Sequence, residues 1–220
     1  MNNLLVTEIV NKLRAIGIPP DFGSDRSRVL IRTYRALAKG HPITREQVNT
    51  IANDLGISQH EAHEFLKQVT ERDADDNVVG VMGLSLNEGW PHRFHVNGSS
   101  LRTWCAWDAL FIPPLLKETV TVESLAPGTD TRVRLTVSPE RVEQSKPANA
   151  TVSIVVPDPK KHDVSSLEGI WSSFCHQIYF FGSREEADRW AAGKEDIEIL
   201  TVEEAYELGK QVFSELNSYA

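Results

Sequence analysis

The sequence predicts an α+β protein in which an N-terminal helical, winged-helix-like lobe, residues 1–75, precedes a mostly antiparallel sheet with flanking helices, residues 76–220. Three observations lead to this prediction. Apolar residues recur at helical spacing through the first third of the chain. Beyond residue 76 the pattern changes to short apolar runs separated by Gly, Pro, Asn and Ser. Three helical segments lie among these runs, so we expect helices that flank the sheet.

The first third of the chain predicts helices that end at helix-breaking glycine and proline residues. Apolar residues at helical spacing predict a first helix: Leu4, Leu5, Ile9, Leu13 and Ile16. Gly17 and Pro19 end it, and a second helix over 24–39 ends at Gly40. Two capping boxes follow, Thr44 with Gln47 and Ser58 with Glu61. An acidic turn over 73–77 then leads into an apolar run, and this order of helix, turn, helix and hairpin is typical of a winged helix.

Winged helices commonly bind DNA, but the charge of this chain argues against a nucleic-acid partner. The segment 59–72 contains three glutamates against Lys67 and Arg72, and the whole chain has a formal charge of −8. Residues 1–75 hold ten basic and ten acidic residues, so the excess of acid lies entirely in 76–220. Because phosphate binding needs a basic surface, we expect the lobe to have a structural role.

The second part of the chain alternates predicted strands with predicted helices. Apolar runs predict strands over 78–84, 93–96, 119–122, 132–137, 151–156 and 176–181. The predicted helices span 100–112, 183–192 and 201–216. Pro113 ends the first of these, and capping boxes at Ser183 and Thr201 begin the other two.

Composition indicates a globular, cytoplasmic protein. The 220 residues are 40% apolar, and no window approaches 18 apolar residues, so we expect no membrane span. The N-terminal stretch 1–8 has neither a basic head nor a small-residue cleavage site, which argues against a secretory signal. The chain has two cysteines, seventy positions apart, which we expect to be free thiols in a reducing cytosol.

Cys105 and Asp108 form the first candidate for chemistry. On the predicted helix they are three residues apart and share a face, so the thiol and the carboxyl can exchange a proton. Trp104, Trp107 and Phe111 make the surroundings apolar, which raises the pKa of a carboxyl and allows it to act as an acid at neutral pH. Taken alone, the motif is more typical of a buried cysteine in a helix whose Asp108 faces solvent.

Cys175 begins the predicted strand 176–181, and alone it is typical of a core residue. His176 follows it, but adjacent strand residues point to opposite faces, so we interpret His176 as structural. The two cysteines are too few and too far apart for a zinc site. Two thiols and a carboxyl suit a soft, two-coordinate ion such as Hg(II), or a redox pair, although the pattern Cys-x-x-Cys is absent.

Together with these residues, several further motifs make the chain resemble a known family, alkylmercury lyase, the organomercurial lyase of bacterial mercury resistance. The resemblance runs over nearly the whole chain and includes Leu37-Ala-Lys-Gly40-His-Pro-Ile-Thr44, Asp76-Asn-Val-Val-Gly80, Gly83-Leu84-Ser-Leu86, Trp104-Cys105-Ala-Trp-Asp108 with Pro113, Leu135-Thr-Val-Ser-Pro139, Ser173-Phe-Cys175 with Phe180-Phe181, and Glu204-Ala205. The elements Trp-Cys-x-x-Asp and Ser-Phe-Cys, about seventy residues apart and in this order, are specific together.

The resemblance implies an enzyme that cleaves carbon–mercury bonds by protonolysis and gives a hydrocarbon and Hg(II). Cys105, Asp108 and Cys175 match the family's three catalytic residues, which also hold the mercury, and Trp104 matches an aromatic residue of the substrate pocket. No resident cofactor is implied, since mercury is substrate and product. The implied partners are cellular thiols, needed for turnover, and mercuric reductase as the recipient of Hg(II).

The sequence departs from the family pattern in two places. Some members have a further cysteine where His176 stands, and another near Leu125, so no role of accessory thiols carries over. Two alternatives stay open beside the lyase. A soft-metal sensor or carrier would use Cys105 and Cys175 only as ligands, and a structural relative would hold both as inert buried thiols.

Overall fold

A computed structural model describes residues 3–162, 164 and 166–220. Met1 and Asn2, where the stretch considered as a secretory signal begins, lie outside the described residues. None of the described helices combines the length and the apolar character needed to cross a membrane.

Four helices form the N-terminal region: α1 (Asn3–Ala15), α2 (Gly23–Leu37), α3 (Arg45–Leu55) and α4 (Gln59–Val69). Both bonds of the predicted capping box are present at α3, where Thr44 Oγ1 accepts from the backbone N–H of Gln47 and the Gln47 side chain accepts from that of Thr44. Ser58 caps α4 by accepting from the N–H of Glu61. The capping residues therefore begin these helices where the sequence predicts.

Eight strands form one antiparallel sheet in the order β1-β2-β3-β5-β4-β6-β7-β8. They are β1 (Thr70–Arg72), β2 (Val78–Val81), β3 (Leu84–Ser85), β4 (His92–Val96), β5 (Ser99–Thr103), β6 (Val120–Leu125), β7 (Arg132–Val137) and β8 (Val142–Lys146). A second antiparallel sheet has the order β10-β9-β11 and consists of β9 (Thr151–Val155), β10 (Phe180–Phe181) and β11 (Ile197–Thr201). The predicted α+β class is confirmed, and the lobe boundary near residue 75 stays a prediction.

The remaining helices pack among these strands: α5 (Asp108–Leu116), α6 (Leu167–Ser173), α7 (Arg184–Ala191), α8 (Val202–Val212) and α9 (Ser214–Ser218). One cluster of buried apolar side chains joins the helical region to the large sheet, with Leu30 and Leu66 on the helices and Phe94 and Leu135 on the strands. Along β7 the side chains alternate between buried and exposed, so the opposite face of this part of the sheet is turned to solvent.

The predicted helix over 100–112 is wrong. Residues 99–103 instead form β5, which pairs with β4 across a tight turn at Asn97 and Gly98. The helix begins only at Asp108 and continues through Pro113, which the sequence analysis took as its end. All nine residues of α5 are buried, and this packing outweighs the backbone hydrogen bonds that its prolines cannot donate.

Two predicted strands and one further predicted helix also differ from the observed elements. The run 78–84 forms a hairpin, β2 and β3, that turns at Met82 and Gly83. In the run 176–181 only β10 is a strand, because Cys175–Gln177 form a 3₁₀ turn. The Ser153 hydroxyl fixes this segment by donating to the Gln177 carbonyl at 2.8 Å and accepting from the Tyr179 N–H at 2.9 Å. The helix predicted over 201–216 is divided between α8 and α9.

Candidate functional site

Cys105 lies in the turn that joins β5 to α5. Its backbone N–H donates to Asp108 Oδ2 at 2.7 Å, and Thr103 Oγ1 donates to its carbonyl at 2.9 Å. Asp108 is the first residue of α5, and its carboxyl reaches back over the turn. The sequence therefore predicts correctly that the two residues meet, but the stated reason, a shared helix face, is wrong.

Cys175 reaches the same place from a distant part of the chain. It follows α6 and opens the 3₁₀ turn Cys175–Gln177. The N–H of Ala106 donates to the carbonyl of Ile178 at 3.2 Å, which ties the two cysteine-bearing segments together. The thiol sulfurs and a carboxylate oxygen of Cys105, Cys175 and Asp108 all lie within 4.8 Å of one another, and the described residues contain no second group of this kind.

All three side chains are withdrawn from water. The exposed fraction is 2% for Cys105, 5% for Cys175 and 7% for Asp108. Burial raises the pKa of Asp108 from its ordinary 3.8 to about 7, although hydrogen bonds from the Cys105 side chain and backbone act in the opposite direction. The carboxyl can therefore gain and lose a proton at neutral pH.

The thiols are in their neutral form in this environment. Burial, the hydrogen bond to Cys175 and the charge of Asp108 raise the pKa of Cys105 well above its ordinary value. For Cys175 the hydrogen bond with Cys105 lowers the pKa, but burial and the charge of Asp108 outweigh it and the net direction is upward. Neither thiol is a thiolate at rest, so metal binding requires a base that accepts a proton.

A glycine beneath Asp108 fixes the position of its carboxyl. Gly83, in the turn between β2 and β3, has a φ of +97°, and a Cβ there would lie 2.6 Å from Asp108 Cγ. The Tyr34 hydroxyl supports the turn by donating to the Met82 carbonyl at 2.6 Å. The N–H of Trp104 donates to the Gly83 carbonyl at 3.0 Å. The single strand predicted over 78–84 leaves no place for this turn, for which the Met82-Gly83 pair inside the apolar run was the available signal.

The three residues open into a cavity of about 80 Å³. Apolar side chains form most of its lining, which comprises Ile18, Pro19, Pro20, Met82, Trp104, Trp107, Phe111, Leu167, Ile170, Phe174, Ile178 and Phe213 beside Cys105, Asp108 and Cys175. A water molecule occupies roughly 30 Å³ in the liquid. The cavity thus leaves room for a small group beside the three residues, in a mostly apolar lining.

Trp104 forms one wall of the cavity. Its ring packs against Trp171 at 5.2 Å and Trp90 at 5.8 Å between centroids. Its indole N–H donates to the carboxylate of Glu71, which also accepts from Trp90 Nε1 at 3.3 Å. Glu71 stood out in the sequence only as one of the acidic residues of segment 59–72, and its role in holding two tryptophans depends on contacts between distant parts of the chain.

His176 lies outside the cluster. It is exposed in the 3₁₀ turn, with its ring 6.2 Å from that of Trp90. The predicted strand that set its orientation is absent here.

Two thiols beside a carboxyl with a pKa near neutrality, in an apolar cavity, suit an enzyme that binds a soft ion through sulfur and protonates the group bound to it. The comparisons with known proteins agree with this class. The family model of alkylmercury lyase matches residues 84–214, which contain Cys105, Asp108 and Cys175.

Curated relatives and a solved structure match most of the chain. It is 38% identical over 180 residues to the alkylmercury lyase of Staphylococcus epidermidis, covering 81% of this chain and 78% of the relative. It is 35% identical over 211 residues to that of Pseudomonas putida, covering 95% and 92%. A crystal structure of the mercury-bound form of MerB2 aligns with a TM-score of 0.71 and 25% identity, covering 96% of this chain and 99% of that one. The chain belongs to the alkylmercury lyase family and is a lyase.

Proposed function

We propose that this enzyme cleaves the carbon–mercury bond of alkyl- and arylmercury compounds by protonolysis, and that Cys105, Cys175 and Asp108 carry out the reaction. The observation that supports this most directly is the convergence of two thiols and one carboxyl within 4.8 Å in an apolar cavity. Sulfur is the ligand that a soft mercury ion prefers, and a carboxyl of raised pKa can supply the proton that carbon needs.

The first step is the binding of R–Hg⁺ by Cys105. Its thiol must lose a proton to become a ligand, and burial opposes that loss. Asp108 is the base, since a pKa of about 7 leaves about half of its carboxyls ionised at pH 7. The proton of Cys105 moves to Asp108 as the Hg–S bond forms, and the cation replaces it on sulfur.

The second step is delivery of the proton to carbon. Cys175 approaches mercury as a second sulfur ligand, and the added electron density weakens the bond between mercury and carbon. Asp108 donates its proton to the carbon, and its carboxylate then takes the proton of Cys175. The products are the hydrocarbon, Hg(II) on two sulfurs and a protonated Asp108, which loses its proton to water before the next turnover.

A sensor or carrier would use the same thiols without this chemistry. Such a protein needs no proton donor beside its ligands, whereas here Asp108 receives the Cys105 N–H and lies within reach of both sulfurs. The position of the acid therefore favours the lyase mechanism over metal storage.

We further propose that external thiols remove Hg(II) from the two cysteines, and that mercuric reductase is the final recipient. Mercury held by two buried sulfurs leaves most readily by exchange with other thiols, and the proposed steps use no resident cofactor. The reaction needs both cysteines reduced, and two thiols this close would be open to oxidation in an oxidising compartment. This requirement supports a cytoplasmic location.

Detection of the hydrocarbon tests the proposal. Purified protein with methylmercury or phenylmercury and excess thiol should release methane or benzene into the gas phase, one molecule for each Hg(II) formed. Stoichiometric binding of the organomercurial without any hydrocarbon would contradict the proposal and favour a carrier.

A further inference from the structure

The outer face of the eight-stranded sheet carries a groove of about 900 Å³ that the mechanism does not use. Five basic side chains line it: Arg93, Arg102, Arg132, Arg134 and Lys146. Residues 76–220 contain thirteen Lys and Arg against twenty-one Asp and Glu. Five of the thirteen basic residues of this acidic segment therefore line a single groove.

Four of these cations belong to one row across the strands. Arg102 of β5 pairs with Arg93 of β4, Arg93 with Glu123 of β6, Glu123 with Arg134 of β7, and Arg134 with Lys146 of β8. Side chains of directly paired residues lie on the same face of a sheet. Neighbouring strands are about 4.8 Å apart, so the row is about 19 Å long, and Arg93 and Arg102 lie on adjacent strands at one end of it.

The groove carries more positive than negative charge, since the acidic residues of its lining are Glu88 and Glu123. Arg134 forms an ion pair with Glu123, but within the described ranges Arg93, Arg102 and Lys146 form none. The pairing of Arg93 with Arg102 also places like charges directly opposite each other, which destabilises a sheet. A bound anion would relieve this repulsion, so the row has the chemistry of an anion site.

The groove ends beside the cysteine cavity. Trp90 lines the groove and packs against Trp104, which lines the cavity. Arg102 is three residues from Cys105, and three residues of extended chain span at most about 11 Å. A molecule whose carboxylates bind Arg93 and Arg102 therefore needs to be only as long as a few residues for another of its groups to reach Trp90 and Trp104.

We propose that this groove binds the carboxylates of a small anionic thiol, about the size of a tripeptide, and directs its sulfur toward the mercury-loaded cysteines. The inference rests on the proposed function, because it names the class of thiol that removes the product. The exchange involves no oxidation: an incoming sulfur forms a bond to mercury as one cysteine–mercury bond breaks, and its proton passes to the leaving cysteine. A second thiol displaces the other cysteine in the same way.

The test begins with protein loaded directly with HgCl₂, which separates product release from carbon–mercury cleavage. Release of mercury is timed with three thiols at equal thiolate concentration: mercaptosuccinate with two carboxylates, neutral 2-mercaptoethanol and cationic cysteamine. At low salt we expect mercaptosuccinate to act at least ~10-fold faster than 2-mercaptoethanol, the lower end of electrostatic steering. Added salt should reduce this ratio, since it screens exposed charges.

Variants locate the effect in the groove. Arg93→Gln with Arg102→Gln should lower the ratio of the mercaptosuccinate rate to the 2-mercaptoethanol rate toward one. Arg32→Gln with Arg45→Gln removes the same charge from exposed positions on other elements and should keep the wild-type ratio. Arg93→Glu with Arg102→Glu should make cysteamine the fastest thiol.

Equal release by all three thiols, or an unchanged ratio in the Arg93→Gln/Arg102→Gln protein, would overturn the inference. Neither result would affect hydrocarbon formation in a separate assay. Conversely, an absence of hydrocarbon would contradict the proposed function and leave the release measurements interpretable.

Discussion

Replacement of Gly83 by alanine should impair the reaction, because the new methyl group would displace the Asp108 carboxyl. The added Cβ would lie 2.6 Å from Asp108 Cγ and 2.7 Å from its Oδ1, closer than real Cβ atoms approach. Ordinary contact begins near 3.4 Å, so Asp108 must move by about 1 Å, and a misplacement of this size typically reduces a rate by about 10²-fold. We expect the first-order rate of hydrocarbon release to fall by this factor.

A second effect of the substitution is backbone strain, and a matched variant measures it separately. The φ of Gly83 is +97°, a conformation that costs alanine about 1–2 kcal/mol. Gly98 has a φ of +81° with no atom within 4 Å of an added Cβ. Gly98→Ala should therefore lose similar stability, about 2–8 °C in the midpoint of thermal unfolding, without moving Asp108.

The assay compares both variants in a single turnover of phenylmercury at a temperature where circular dichroism shows them folded. Gly98→Ala should release benzene at nearly the wild-type rate, whereas Gly83→Ala should bind mercury and release benzene slowly. A wild-type rate in folded Gly83→Ala would refute the argument that Gly83 positions the acid. An equal loss of rate in both variants would assign the effect to strain alone.

Four other predictions concern the cluster and the helical lobe. Cys105→Ser and Cys175→Ser should each abolish hydrocarbon release in a gas-phase assay while leaving the circular dichroism spectrum unchanged, because a hydroxyl is a poor ligand for mercury; full activity in either would remove that cysteine from the mechanism. Asp108→Asn should still bind mercury at wild-type stoichiometry but release hydrocarbon at least ~10²-fold more slowly, since an amide cannot transfer the proton; loss of binding as well would recast Asp108 as a ligand. The same variant should gain thermal stability relative to wild type as the pH rises from 5 to 8. The raised pKa of Asp108 stabilises the folded wild-type protein at low pH. This stabilisation falls by about 3 kcal/mol between pH 5 and 8, as the pH rises through the folded-state pKa of about 7. A constant difference in unfolding midpoint would show that the pKa is not raised. The helical lobe should not shift labelled duplex DNA at sub-micromolar protein, because segment 59–72 is acidic and the chain carries −8.

Local signals in the sequence predict those features whose partners are close in the chain. The capping box at Thr44 and the one at Thr201 mark the starts of α3 and α8, since each box is a set of hydrogen bonds within four residues. The same reasoning failed for residues 99–103, where cross-strand pairing with β4 decides the structure. Cys105 and Asp108 meet because they are close in sequence, although the helix on which the prediction relied begins only at Asp108.

The parts of the site that the sequence does not predict depend on distant contacts. Nothing local brings Cys175 to Cys105; the meeting depends on α6, on the 3₁₀ turn and on the bond from Ala106 to Ile178. Gly83 has no chemistry of its own, and its importance appears only when Asp108 lies above it. The family resemblance supplied the three residues, whereas the fold supplies the reason why their proton chemistry suits neutral pH.

The balance of charge through the proposed reaction shows how it can proceed in a buried, apolar cavity. An isolated buried ion is strongly disfavoured, and accordingly both thiols stay protonated and Asp108 is only partly ionised near pH 7. When R–Hg⁺ enters beside the carboxylate, the sum of charges is zero, and it stays zero as the proton moves to Asp108, then to carbon, and as the second thiol proton takes its place. The final Hg(II) on two sulfurs is neutral as well. Each stage of the proposed reaction is thus compatible with an apolar cavity. A bound cation without a proton acceptor would instead leave the thiols un-ionised and the charge uncompensated, which is the physical reason for a carboxyl beside the two cysteines.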